Sequence, residues 1–320
     1  MSLQTADRKV SPVAQPRETL SPYRRAEAAL WRRYGIAPSE RFVNVDDLGL
    51  RVRVQEAGVG EPLLFVHGGP NGGSTFIPLA AGMLERRCLL LDRPGCGLSG
   101  PVEYGRTPLP RLAATTLVGV LDRLRIERID VVGSSFGGAW ALWFAAAHPE
   151  RVRRLVLLGA PALVPGMLVP GFMRMMCTPG IGQLMPMLPQ SVSGAKWVHR
   201  QMGHAASALE ALPAEYWEWG LRLMSDTGTM ASDGRVIRTV ATPFGVRPEV
   251  AFTPDQLGAV RAPALLYWGA ADTFGGGDVA RAVAGLLPHA ALELVPHAGH
   301  LPWLDDPAHA AHRIRAFLDA

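Results

Sequence analysis

The chain has 320 residues, 48% of them hydrophobic and 19% charged, enough apolar side chain for one large core or a core with a smaller appended unit. Its net charge of +4 comes almost wholly from arginines scattered among acidic neighbours, with lysine at Lys9 and Lys196, so the sequence holds no basic stripe for nucleic acid. Cys88, Cys96 and Cys177 lack disulfide or metal spacing, residues 1–19 lack the apolar stretch of a secretory signal, and no run reaches the roughly 18 apolar residues that span a bilayer. A reducing, cytoplasmic setting without stable membrane insertion is therefore expected.

After the polar N-terminus, Tyr23, Ala26, Leu30 and Tyr34 share one helical face, with Arg24, Arg25, Arg32 and Arg33 on its wet side. This predicts a short amphipathic helix docked on its own protein, within an N-terminal extension covering residues 1–40. Residues 41–46 and 50–56 alternate about Asp47-Leu48-Gly49 and predict a β-hairpin. Apolar runs at 63–66, 88–91, 129–132 and 154–158 follow, with a helical pattern over 111–124. Continuous apolar strands alternating with helices imply an α/β architecture, a mostly parallel twisted sheet flanked by helices on both faces.

The chemistry-bearing residues stand where strands end. The run at 63–66 leads into His67-Gly68-Gly69-Pro70, a tight loop whose backbone N–H groups are unobstructed by β-carbons. Gly69 is the chosen oxyanion donor there, and His67 reads as a structural loop residue. The run at 129–132 leads into Gly133-Ser134-Ser135-Phe136-Gly137 and then an apolar helix from 139 to 147. Gly-x-Ser-x-Gly between strand and helix is a nucleophile elbow: the serine is strained at the apex, and the glycines remove side chains that would collide. Ser135 is the expected nucleophile. The Phe136 N–H, at the positive end of the helix, is the second oxyanion donor.

After residue 158 the next strand does not arrive until Ala264. The segment 161–250 between them contains nine of the eleven methionines, together with Trp197, Trp217 and Trp219. It is predicted to be a helical cap inserted after the sixth strand, with residues 41–160 and 251–320 forming the core. Met173, Met175, Met176, Met185 and Met187 are its expected pocket-wall residues, although methionine at helical spacing equally suits ordinary packing. Between Pro161 and Ala208 the charged residues are Arg174, Lys196 and Arg200, which permits an anionic substrate without demanding one. The strand from Ala264 runs out to Asp272, the expected partner of a catalytic base, with Asp278 its nearest rival. The last strand ends before His297-Ala298-Gly299-His300, where His300 is preferred as general base and His297 competes. The runs Gly72-Gly73 and 275–277 lack phosphate-loop spacing, and His309 and His312 lack a third ligand, so no cofactor or metal is expected.

The order Ser135, Asp272, His300 resembles that of the α/β-hydrolases. Asp92-Arg93-Pro94-Gly95-Cys96-Gly97-Leu98-Ser99 looks like that superfamily's Asp-x-Pro-Gly-x-Gly-x-Ser loop, and His148-Pro149-Glu150-Arg151-Val152 like the segment after its nucleophile helix. The resemblance, from about Phe42 to the C-terminus with one long insertion, implies a serine hydrolase acting on a small-molecule substrate. It leaves the substrate and any homo-oligomer open. Carboxylic-ester hydrolysis is the first expectation, because dehalogenases and epoxide hydrolases carry aspartate at the elbow. A proline iminopeptidase-like activity is the alternative, suggested by His67-Gly68-Gly69-Pro70 and by Glu215 and Glu218 as holders of an amino terminus. Asn71, Leu98 and Phe136 depart from that family's glycine, arginine and tryptophan. Hydrolysis of a carbon–carbon bond in a meta-cleavage diketone is a third, using the same three side chains.

Overall fold

The computed structural model describes residues 20–178, 180 and 190–320, and its eight principal strands lie in one sheet. They are β1 (Ser39–Val45), β2 (Leu50–Ala57), β3 (Pro62–Val66), β4 (Arg87–Leu91), β5 (Ile129–Ser134), β6 (Val152–Leu158), β7 (Ala264–Gly269) and β8 (Ala290–Val295). Their order is β1-β2-β4-β3-β5-β6-β7-β8, with β2 antiparallel to β1 and β4 and the remaining neighbours parallel. The β1–β2 hairpin turns at Gly49, whose φ of 61° is the left-handed conformation that glycine adopts without strain.

The sheet divides two apolar layers by the two-residue period of its strands. Leu64, Val66, Leu89, Leu91 and Val131 face one layer, and Leu63, Phe65, Cys88, Leu90 and Val132 face the other. The first layer is closed by α3 (Leu109–Arg123) and α4 (Phe136–Ala147), and the second by α1 (Pro22–Arg33) and the short α2 (Ile77–Ala80). Between β6 and β7 the described helices are α5 (Gly171–Cys177), α6 (Val192–Gln201), α7 (Ala206–Ala211), α8 (Ala214–Asp226), α9 (Thr229–Val240) and α10 (Pro254–Gly258). The C-terminal part adds α11 (Gly277–Leu286), α12 (Pro302–Asp305) and α13 (Pro307–Asp319). Among the described residues no helix is long and apolar enough to cross a membrane.

The predicted N-terminal helix packs on α8, burying Tyr23, Ala26 and Leu30 as its pattern requires. It also buries Glu27, which periodicity alone would place among the errors. The reason is Arg53 on β2, whose guanidinium is 2% exposed and reaches Glu27, Glu40 and Asp92. Ser74 Oγ donates to Glu27 Oε1 at 2.7 Å, and the Gly73 N–H donates to Asp92 Oδ1 at 2.8 Å. Burial pushes the Asp92 carboxyl above its ordinary value, against the pull of Arg53. Removing the arginine leaves Glu27 and Asp92 buried without their cation. Arg53→Met is expected to lose about 3–5 kcal/mol of stability, read from the urea midpoint; an unchanged midpoint would show that the network is dispensable.

Candidate active site

The elbow has the geometry its sequence implies. Ser135 sits at φ 51° and ψ −121° between β5 and the first residue of α4, a conformation costly for a residue with a β-carbon. The strand and helix approach closely because of the flanking glycines. A β-carbon on Gly137 would overlap the carbonyl oxygens of Val66 and His67, and one on Gly133 would stand 2.7 Å from the Gly137 carbonyl. The loop after β3 lies directly against the serine: a β-carbon on Gly68 would stand 2.8 Å from Ser135 Cβ and 3.4 Å from its Oγ. Phe136 opens α4, so its N–H belongs to the helix end whose donors lack intrahelical partners.

His67 holds that loop in place. Its Nε2 accepts from the Arg93 N–H at 3.0 Å and its Nδ1 lies 2.6 Å from the Gly68 carbonyl, an arrangement that fixes one neutral tautomer with the proton on Nδ1. Burial holds its pKa well below the ordinary value, and nearby Arg93 adds to the effect. Arg93 is itself fully buried; it donates to the His67 and Gly68 carbonyls and pairs with Asp233 of α9 at 2.9 Å. Asp233 also lies against Gly69, where a β-carbon would come within 2.9 Å of its Oδ1. A buried, neutralised carboxylate thus stands beside the loop expected to supply the oxyanion donor.

Asp272 and His300 are brought together. The His300 Nδ1 lies 2.9 and 3.0 Å from the two Asp272 carboxylate oxygens, with side-chain exposures of 2% and 0%. Asp272 is fixed in turn by the N–H groups of Ala160, at 2.8 Å to Oδ2, and Phe274, at 2.9 Å to Oδ1. With Nδ1 engaged, the imidazole has Nε2 left for other work. The chain leaving β6 joins the three elements: Ala160 bonds Asp272, Ala162 N–H donates to the Ser135 carbonyl at 2.9 Å, and Gly159 passes so close to His300 that a β-carbon would overlap its carbonyl oxygen. The Ser135 hydroxyl and His300 are not joined by a hydrogen bond in this structure; the imidazole's polar side-chain partner is Asp272.

The rivals stand elsewhere. Asp278 is fully exposed at the start of α11 and pairs with Arg281 at 2.6 Å, while His297 is an exposed turn residue at φ 62°. Glu218 is exposed and accepts from Arg222 at 2.8 Å, and Glu215 is half-buried in the first turn of α8. Asn71 closes on its own loop, donating to Thr75 Oγ1 at 3.1 Å, and Thr75 in turn meets the Tyr216 hydroxyl of α8 at 3.2 Å. Met173 and Met176 pack partly buried on the core and Met175 is exposed, whereas Met185 and Met187 lie outside the described residues. Sequence reasoning missed Phe274, whose ring stacks on the His300 imidazole with centroids 4.0 Å apart and planes at 26°. Its position two residues after Asp272 was the one available signal.

A family model described as alpha/beta hydrolase fold matches residues 61–307. The chain belongs to the alpha/beta hydrolase fold family. Among curated relatives, the 2-hydroxy-6-oxononadienedioate/2-hydroxy-6-oxononatrienedioate hydrolase of Cupriavidus pinatubonensis is 32% identical over 278 residues, 82% of this chain and 90% of that one. A 2-hydroxymuconate semialdehyde hydrolase from a Pseudomonas species is 40% identical over 119 residues, covering 35% and 41%. Among solved structures, carboxylesterase CesB of Bacillus subtilis superposes with a TM-score of 0.71 at 20% identity, over 92% of this hydrolase and 96% of that chain. The meta-cleavage product hydrolase of Pseudomonas fluorescens does so with a TM-score of 0.68 at 16% identity, over 87% and 97%. At those identities the superpositions speak to the fold, which carries both chemistries.

Proposed function

We propose that this hydrolase cleaves a carboxylic ester of an apolar or aromatic small molecule through an acyl-enzyme on Ser135. The reading is carried by one observation, the buried His300–Asp272 pair on the sheet edge where Ser135 holds its elbow conformation. His300 Nε2 takes the hydroxyl proton as Ser135 Oγ attacks the ester carbonyl, and Asp272 fixes the tautomer and balances the imidazolium charge. The N–H groups of Gly69 and Phe136 receive the oxyanion. The proton then passes to the departing alkoxide, water activated by His300 attacks the acyl-enzyme, and the carboxylic acid leaves with the serine restored. Helices α5 to α9 act as a cap over this edge.

A second reading is hydrolysis of a carbon–carbon bond beside a ketone by the same three side chains, and it is supported by a curated relative named a 2-hydroxy-6-oxononadienedioate/2-hydroxy-6-oxononatrienedioate hydrolase. The two are separated by kcat/KM on p-nitrophenyl esters of graded acyl length measured beside a 2-hydroxy-6-oxo-dienoate. Preference for the esters is expected. Preference for the dienoate would replace the first reading with the second.

A further inference from the structure

Residues 201–204, joining α6 to α7, lie between the loop that carries Asp272 and the loop that carries His300. On the first side Thr273 Oγ1 donates to the Gln201 carbonyl at 2.9 Å. Gly203, at φ 93°, comes so near Ala271 that a β-carbon would overlap its carbonyl oxygen. On the second side three consecutive backbone donors are held. The Gly299 N–H donates to Asp305 Oδ2 at 3.0 Å, the His300 N–H to the Met202 carbonyl at 3.0 Å, and the Leu301 N–H to His204 Nε2 at 3.2 Å. His204 closes the set by donating from Nδ1 to Asp305 Oδ2 at 2.8 Å, its side chain without solvent exposure. Because Nε2 accepts from a backbone N–H, the ring is neutral with its proton on Nδ1.

We propose that His204, with Asp305, is a positioning residue for the reaction: the pair fixes the backbone on both sides of His300, in a segment whose neighbouring Gln201 and Gly203 hold the loop of Asp272. The inference rests on His300 being the general base. The physical need is plain, since a base must approach the serine proton within hydrogen-bond reach and a displacement of about 1 Å can cost on the order of 100-fold in rate. His204 from the helical insertion, paired with Asp305 of α12, therefore orders a proton-transfer partner through backbone donors.

Three substitutions in the full-length protein test this. His204→Gln sets an amide oxygen near the place of Nε2 and keeps an acceptor for Leu301. His204→Asn sets an amide nitrogen near Nδ1 and keeps the donor to Asp305, and His204→Leu removes both. The leucine and asparagine variants are expected to lose roughly 10- to 100-fold in kcat with little change in KM, and the glutamine variant to recover most of it. The low-field proton resonance of the His300–Asp272 hydrogen bond should broaden in the leucine and asparagine variants and stay sharp in the glutamine variant.

A leucine variant with unchanged kcat and resonance but a lowered melting temperature would overturn the proposal, as would a glutamine variant no better than leucine. If the leucine variant does not fold, the asparagine and glutamine pair decides. A wild-type protein inactive on both esters and dienoates would defeat the reading of His300 as base. The resonance, which needs no turnover, still reports whether His204 orders the ring.

Discussion

Ser135→Ala and His300→Ala are each expected to lower kcat by about 10⁶-fold, measured on the best ester of the graded series, the serine variant with a melting temperature near that of the parent. The size follows from the covalent route. Without the hydroxyl there is no acyl-enzyme, and without the imidazole the hydroxyl keeps its proton, so either loss removes both halves of the reaction. Stability should survive because Ser135 carries its elbow through the backbone, whose carbonyl accepts from Ala139 and Ala162. Alanine at that φ keeps the same β-carbon. Asp272→Asn is expected to cost less, about 10⁴-fold, because the ring remains but its tautomer is no longer enforced. A His300→Ala enzyme retaining a tenth of parental activity would move the base to another group.

Gly137→Ala is expected to be among the most damaging single-methyl changes in the fold. The added carbon meets the carbonyl oxygens of Val66 and His67, which are backbone atoms of β3 and its loop and cannot swing aside as a side chain would. A loss of at least about 4 kcal/mol is expected, visible as failure to accumulate folded protein or as a collapsed urea midpoint. Gly220 on α8 supplies the internal contrast. Nothing lies within 4 Å of its missing β-carbon, so Gly220→Ala should add roughly 0.5–1 kcal/mol through helix propensity and a less free unfolded chain. Similar costs at the two positions would mean that the elbow is not packed as described.

Strand positions were legible in the sequence because β3, β5, β6 and β7 are buried on both faces and read as uninterrupted apolar runs. The elbow was legible because its chemistry is local: two glycines and a serine within five residues. The pairings that complete the site were not. Glu27 is buried on the apolar face of α1 by Arg53, 26 residues away in the chain. His204 and Asp305 are 101 residues apart, and Arg93 and Asp233 are 140 apart. No periodicity records such contacts, since each partner alone is a common polar residue in a loop or on a helix. The choice of Asp272 over Asp278 rested on strand-end position, and burial separates them: one is enclosed by backbone donors and the other stands in solvent.

Covalent labelling reports whether Ser135 is a nucleophile driven by His300. Treating the intact protein with a fluorophosphonate and locating the adduct by peptide mass spectrometry should place one phosphonyl group on Ser135, with labelling abolished in Ser135→Ala and slowed by orders of magnitude in His300→Ala. An adduct on another residue, or labelling that proceeds as fast without the imidazole as with it, would contradict the account.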